Sequence, residues 1–311
     1  MKVAVLYGGT SKEREVSLST GKGMIQALEQ LDHDVMAIDF DPNQMEQLWK
    51  QLMQVDLVLI GLHGKQGEDG TVQGMLELMG VPYVGSGVLA SSLAMDKSKA
   101  KQVFAMHDIP VARSQSFHYK ESREDMIHSI KATFTKPFVI KPNQEGSTLG
   151  LTIVESDEQI ADAVQMAFTH DSDIIVEDYV SGRELTVSVL GNKGDEQALP
   201  IIEIVPKSKY YDYESKYAEG GSEHIVPAEI SEELTETIQH YANQAHRALG
   251  CETYSRVDFI LSEVHGPVIL EVNTLPGMTP TSLYPDAAGA VGISYTEMVQ
   301  LFIDLSLEKY S

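Results

Sequence analysis

The stretch Ser255-Arg256-Val257-Asp258-Phe259-Ile260-Leu261-Ser262-Glu263-Val264-His265-Gly266-Pro267-Val268-Ile269-Leu270-Glu271-Val272-Asn273 decides the reading of this chain. Two apolar, β-branched runs, 253–261 and 267–272, flank a short polar segment that contains a glycine. That spacing predicts two strands joined by a turn near 262–266. Side chains along a strand alternate faces with a period of two, so Arg256 shares a face with Asp258, and Glu271 shares one with Asn273. With Val264-His265 at the tip of a hairpin, Asp258 opposes Glu271 and Arg256 opposes Asn273. All four polar side chains then lie together. The opposite face pairs Val257 with Val272, Phe259 with Leu270 and Leu261 with Val268, and is expected to be buried.

Two carboxylates placed directly across a sheet repel each other. A divalent cation removes that repulsion, and two carboxylates with an amide oxygen suit Mg²⁺, a hard cation that keeps positions open for phosphate. Arg256 beside them could neutralise a transferring phosphoryl group. The other reading of the same residues is a solvated hairpin face with a cross-strand ion pair.

Outward from this hairpin, the chain alternates strand and helix signals. Residues 3–7, 34–40 and 55–62 read as strands, and 17–31 and 44–54 as helices. Alternation of that kind implies βαβ units and a parallel sheet, and ligands collect beyond the carboxyl ends of such strands. The polar, glycine-containing loops 8–16 and 63–70 lie at two of those ends. A boundary is expected near 82–87, then a helix over 95–106. Strands at 137–141 and 151–155 enclose the loop 143–150, and a helix (157–168) and strand (173–179) follow. Strands 184–190 and 197–205 and helices 231–249 and 294–305 frame the hairpin. Residues 206–224 carry four tyrosines, and a connection of that length suits a functional lid. The expected domains are 1–94, 95–180 and 181–311. The fold class is α/β, α+β in the C-terminal part.

The 311 residues carry 23 Lys+Arg against 46 Asp+Glu, a net charge of −23. So acidic a chain repels phosphate backbones and anionic bilayers, which argues against nucleic-acid and membrane-surface partners. One cysteine, Cys251, cannot form an internal disulfide. No apolar run reaches the roughly 18 residues of a membrane-spanning helix, and the amino-terminal apolar run is too short for a signal peptide. A cytoplasmic location is the expectation.

An anionic substrate would need a local cluster of cations here, and Lys97, Lys141, Lys216 and Arg256 are candidates. The loop after Lys141, Asn143–Gly150 in the sequence, can turn backbone N–H groups toward an anion. It is not a Walker A motif, and Gly8-Gly9 does not begin a dinucleotide fingerprint.

The segments GGTSKEREVSLSTG (8–21), LHGKQGEDGTVQGMLELMGVPYVGSGVLASSLAMDK (62–97), VIKPNQEGSTLG (139–150), YDYESKY (211–217), RVDF (256–259) and EVNTLPGMTPTSL (271–283) together resemble the ATP-grasp superfamily and, within it, the D-alanine–D-alanine ligase family. They run through essentially the whole chain. The resemblance implies a three-domain ATP-grasp fold with an amino-terminal parallel-sheet domain. It implies that Lys97 and Lys141 contact ATP phosphates and that Gly146 and Ser147 lie in the loop that closes over them. Glu177 and Val180 would meet the adenine and Glu184 the ribose. Asp258, Glu271 and Asn273 would bind two Mg²⁺ ions, with Mn²⁺ an alternative.

The resemblance further implies that Glu15 holds the ammonium of the first D-alanine in a hydrogen-bonded set with Ser147 and Tyr217, with His63 nearby. Arg256 and the N–H of Gly277 would stabilise an oxyanion, and Lys216, Ser282 and Leu283 would take the carboxylate of the second D-alanine. The implied activity is ATP-dependent ligation of two D-alanines for peptidoglycan, by an enzyme that forms homodimers. A ligase that places D-lactate second is the nearest rival, and in the family Tyr217 goes with amine acceptors. On residue physics alone, Glu15 could be an acid favoured by a helix start, and a non-catalytic sensor on the same fold is a rival of another class.

Overall fold

The computed structural model describes residues 1–146, 148–206 and 221–310. Among these, three sheets follow one another along the chain. In the first, β1 (Lys2–Gly8) lies between β2 (Asp34–Phe40) and β3 (Leu57–Ile60), all parallel. Val3, Ala4, Val5 and Leu6 are wholly buried, as befits a parallel strand covered on both faces. Helix α1 (Arg14–Gln30) crosses one face and α2 (Met45–Leu52) follows β2. The helix α1 lies so close to β1 that a Cβ on Gly21 would sit 2.4 Å from that of Tyr7, so only glycine fits there.

Three helices follow: α3 (Thr71–Met79), α4 (Val88–Met95) and α5 (Lys97–Met106). The expected helix over 95–106 is therefore α5 preceded by the separate α4. Asp96 divides them because its side chain caps α5, accepting from the Lys99 N–H at 3.0 Å, and a capping residue adopts extended rather than helical backbone.

The second sheet is antiparallel, in the order β4 (Ser114–His118), β7 (Asp173–Asp178), β5 (Phe138–Pro142), β6 (Thr152–Val154). Helices α6 (Arg123–Thr133) and α7 (Ile160–Phe168) cover it, burying Met126, Ile130, Ile160 and Val164 against Ile140 and Val176. Neither β4 nor α6 stands out in the sequence, because each buries only one or two side chains.

The third sheet runs β11 (Ser222–Ile225), β10 (Ile202–Pro206), β8 (Arg183–Leu190), β12 (Tyr254–Ser262), β13 (Gly266–Asn273), with β9 (Gln197–Ala198) also paired to β8. The single strand expected over 197–205 is split into β9 and β10 around Pro200, which has no N–H to give a ladder. Helix α8 (Glu232–Leu249) packs on this sheet, while α9 (Leu283–Ala290) and α10 (Tyr295–Glu308) share one core with the first sheet.

The hairpin β12–β13 keeps the expected register at its functional end: Arg256 opposes Asn273, Val257 opposes Val272 and Asp258 opposes Glu271. A bulge after Asp258 then shifts the pairing, so Phe259 faces Ile269 rather than Leu270, and Leu261 faces Pro267 rather than Val268. The extra residue re-aims a side chain. Leu270 leaves the buried face and lines the cleft beside Glu271.

Candidate active site

Asp258 is held by three neighbours on its own sheet. Arg256 donates from Nε to Oδ1 (2.9 Å) and from Nη2 to Oδ2 (2.8 Å), Thr186 donates its hydroxyl to Oδ1 (2.6 Å), and Asn273 donates from Nδ2 to Oδ2 (3.1 Å). Across the hairpin, Glu271 meets Lys97 at 3.2 Å. The two opposed acids are therefore real, and each carries its own basic partner. The Asn273 amide nitrogen points at Asp258, so its oxygen is turned away from that carboxylate. Hard oxygen donors on one rigid face, bordering an open cleft, suit Mg²⁺.

Lys97 starts α5 and its ammonium also donates to the Glu145 carbonyl at 2.9 Å. It thus ties the hairpin to the loop that follows β5. Further along the cleft, Lys141 of β5 contacts Glu177 Oε2 at 3.1 Å, and Lys101 of α5 reaches Glu177 Oε1 at 3.5 Å. Burial pushes the Glu177 carboxyl upward, but Lys141 and Lys101 outweigh it and hold the group below the usual carboxylate range.

A cavity of about 460 Å³ is lined by Lys141, Glu177, Val180, Glu184, Leu270 and Asp258, among others. It lies between the second and third sheets. A second cavity, of about 520 Å³, is lined by Glu13, Glu15, His63, Arg256, Gly277 and Ser282. It opens where the loops after β1 and β3 end, as ligand sites in parallel sheets do. Lys97, Glu145, Gly146 and Glu271 line both cavities.

His63 is buried at the floor of the second cavity. Its Nε2 is paired with the Thr20 hydroxyl at 2.9 Å, and its Nδ1 is 3.1 Å from the Leu275 carbonyl and 3.3 Å from Glu68. Ser282 immediately precedes α9, and its hydroxyl accepts from the Thr279 N–H at 3.0 Å in the preceding loop rather than from the helix, with Leu283 the first helical residue. Ser147, Lys216 and Tyr217, together with the lid expected over 206–224 up to residue 220, lie outside the described residues.

Of the two acids near the start of α1, Glu13 is the buried one. It is 8% exposed and its carboxylate approaches Gly64 and Gly146 of the loop after β5, whereas Glu15 is exposed at the rim. The signal that distinguishes them is the helical stripe. Glu13 continues the buried series Ser17, Thr20, Met24 and Leu28 at steps of three and four, and Glu15 falls between. Sequence reasoning passed over Leu270, which lines the cleft, and Lys101, which lies behind Glu177. Lys101 follows Lys97 by one helical turn, and the Leu270 position depends on the bulge.

Two antiparallel sheets that grip a nucleotide-sized cleft, with Lys141 on one and Asp258 and Glu271 on the other, define the ATP-grasp class. The D-ala D-ala ligase C-terminus family matches residues 103–304, and the D-ala D-ala ligase N-terminus family matches residues 42–86. The chain is 58% identical over 310 residues to the D-alanine–D-alanine ligase of Halalkalibacterium halodurans, covering 99% of this chain and 100% of that protein. A crystal structure of the Bacillus anthracis D-alanine–D-alanine ligase complexed with ATP superposes with a TM-score of 0.84 at 32% identity, covering 99% of this chain and 98% of that one. The VanG D-Ala:D-Ser ligase of Enterococcus faecalis gives the same TM-score at 32% identity, covering 98% and 99%. The chain belongs to the D-alanine–D-alanine ligase family.

Proposed function

We propose that this chain joins two D-alanine molecules while converting ATP to ADP and phosphate, and so supplies D-alanyl-D-alanine for peptidoglycan. The observation that carries the reading is the wall of Lys97, Glu145, Gly146 and Glu271 shared by two cavities. It brings a nucleotide's terminal phosphate in one chamber within reach of an amino acid in the other.

In the first step a carboxylate oxygen of the first D-alanine attacks the γ-phosphorus. The bond to the β–γ bridging oxygen breaks and ADP leaves an acyl phosphate. Two anions must approach, and Lys97, Lys141 and Arg256 reduce that repulsion. Asp258, Glu271 and Asn273 would hold two Mg²⁺ ions, or Mn²⁺ in their place. Such ions would supply positive charge to offset that of the phosphates. In the second step the amine of the other D-alanine attacks the acyl carbon, phosphate leaves and the nitrogen loses a proton. Arg256 and the Gly277 N–H stabilise the tetrahedral oxyanion, each such donor contributing roughly 3 kcal/mol.

Binding divides along the two chambers. Glu177 accepts from the exocyclic amine of adenine, the Val180 backbone adds an adenine contact, and Glu184 takes the ribose. Glu13, in place of Glu15, holds the first ammonium with Ser147 and Tyr217, and His63 orients that end of the site. Lys216, Ser282 and Leu283 take the second carboxylate. The division of labour follows the spans 1–94, 95–180 and 181–311.

The family and the acidic, single-cysteine composition support a cytoplasmic location. Among the described residues no helix is long and apolar enough to cross a membrane. A homodimer is supported by Trp49 and Leu78, apolar side chains exposed around one surface groove beside α2 and α3. Depsipeptide formation with D-lactate is the second reading, and the sequence feature against it is Tyr217. Incubation with ATP, Mg²⁺ and D-alanine should give ADP and D-alanyl-D-alanine, with L-alanine inert. ADP release that ignores D-alanine would refute the assignment.

A further inference from the structure

A histidine–carboxylate pair in the wall of the second chamber has no part in the scheme above. His224 lies on β11, opposite Ile204 of β10. Its neighbour Glu223 is exposed, and the alternation of the strand turns the His224 ring inward. The imidazole lines the cavity of about 520 Å³ together with Arg256, Gly277, Ser282 and Leu283. Its Nδ1 is 2.6 Å from Oδ2 of Asp286, in the first turn of α9.

An ionised carboxylate has no hydrogen to give, so the hydrogen of this short bond belongs to Nδ1. The bond fixes the tautomer and the direction of the ring, as a carboxylate does behind many functional histidines. Nε2 is then the ring atom left for other partners. The Ser222 hydroxyl lies 3.3 Å from it and is able to donate or to accept. With a second proton, Nε2 becomes a donor on a cationic ring that Asp286 balances from behind.

The chamber around this ring is acidic, lined by Glu13, Glu15, Glu68, Glu145 and Glu271. Its lysine and arginine among the described residues are already engaged: Lys97 meets Glu271 at 3.2 Å, and Arg256 forks onto Asp258 at 2.9 and 2.8 Å. Its other histidine, His63, has Thr20 on Nε2 at 2.9 Å and the Leu275 carbonyl on Nδ1 at 3.1 Å. A second carboxylate entering beside Ser282 therefore meets more acid than base, and His224 is placed to offset it. Asp286 follows Ser282 by one helical turn, its N–H bonded to the Ser282 carbonyl at 3.1 Å. One turn is roughly 5 Å along the axis, so the pair brings the ring to the start of α9.

We infer that His224, oriented by Asp286, is a specificity residue for the second amino acid: its Nε2–H donates to that substrate's carboxylate. The role rests on the ligase reading given above.

The test measures kcat and the KM values for ATP, the first D-alanine and the second D-alanine in the wild type, His224→Leu and Asp286→Asn. In His224→Leu the KM for the second D-alanine should rise about tenfold, on the scale of one charge-assisted hydrogen bond. The other two KM values and kcat should stay within about twofold, because the contact is made equally in the ground and transition states. Asp286→Asn still accepts from Nδ1 but removes the charge behind the ring, and should raise the same KM by about threefold. It decides the matter if His224→Leu does not fold. A wild type whose ADP release ignores D-alanine overturns the ligase reading together with the inference. A wild type that ligates overturns the role of His224 alone under any of three results in the folded variants: the second KM unmoved, all three KM values raised together, or a fall in kcat with the second KM unchanged.

Discussion

Asp258 and Glu271 face each other directly across an antiparallel hairpin, and each is met by a cation from a different element: Arg256 from the same strand, and Lys97 from the start of α5. The acids are thus held apart by charge balance and stay within reach of one cleft.

Replacing one acid by its amide tests this arrangement without changing its shape. Glu271→Gln is expected to fold normally and to lose at least roughly a hundredfold in turnover, the scale on which removing one charge-stabilising group acts. Raising Mg²⁺ should restore part of the loss. Circular dichroism with ADP release across a Mg²⁺ titration measures both, and near-normal turnover at ordinary Mg²⁺ would remove Glu271 from the ligand set.

The two acids at the start of α1 separate by burial. Glu13→Gln should cut kcat/KM for D-alanine by roughly tenfold or more, because a charged group loses a buried ionic partner. Glu15→Gln, at the exposed rim, should stay within about threefold. Steady-state assays varying D-alanine decide, and the reverse ranking would restore Glu15.

Lys65 reaches from the loop after β3 to Glu145 at 2.8 Å. With Lys65 half exposed, the pair is worth only about 0–1 kcal/mol. Lys65→Ala should therefore raise KM for D-alanine or ATP by no more than about fivefold, and the effect should shrink at high salt. A salt-independent change would point to a role other than this ion pair.

His246 on α8 is wholly buried, with Nδ1 2.7 Å from the Ser255 hydroxyl. Burial pushes its pKa from 6.5 down to about 4. The unfolded chain takes up a proton as pH falls through 6.5, while the folded chain resists until about 4. Stability is therefore complete above 6.5 and declines over that window, by roughly 3 kcal/mol at most. Urea unfolding at pH 7 and pH 5 should show the decline in the wild type and a shallower one in His246→Gln. Equal declines would assign the acid sensitivity elsewhere.

Tyr217→Phe should raise depsipeptide relative to dipeptide when D-alanine and D-lactate compete. A product ratio unchanged by mass spectrometry would sink the tyrosine's part in choosing the acceptor. The D-Ala:D-Ser ligase that superposes so closely illustrates that the backbone alone does not set the second substrate.

The hairpin was legible in the sequence because period-two alternation and a short turn leave few registers in which the apolar face is continuous. The bulge after Asp258 was not, since an extra residue leaves no mark on composition, and so Leu270 was assigned to the wrong face. Glu13 was hidden for a different reason. Two acids at a helix start look alike until the buried stripe of that helix is known, and the stripe follows from packing on β1. Helix α6 and strand β4 escaped because each owes its place to the sheet it covers rather than to its own pattern. Lys101 carries no sequence signal beyond its spacing from Lys97, and a lysine one turn along a helix is ordinarily solvated.

The partition formed by Lys97, Glu145, Gly146 and Glu271 also constrains inhibitors. On the proposed division of the site, a compound filling either chamber would compete with one reactant and leave the other free to bind. A tethered molecule threaded through the gap would oppose both at once, and escape by mutation would have to alter side chains on which turnover itself depends.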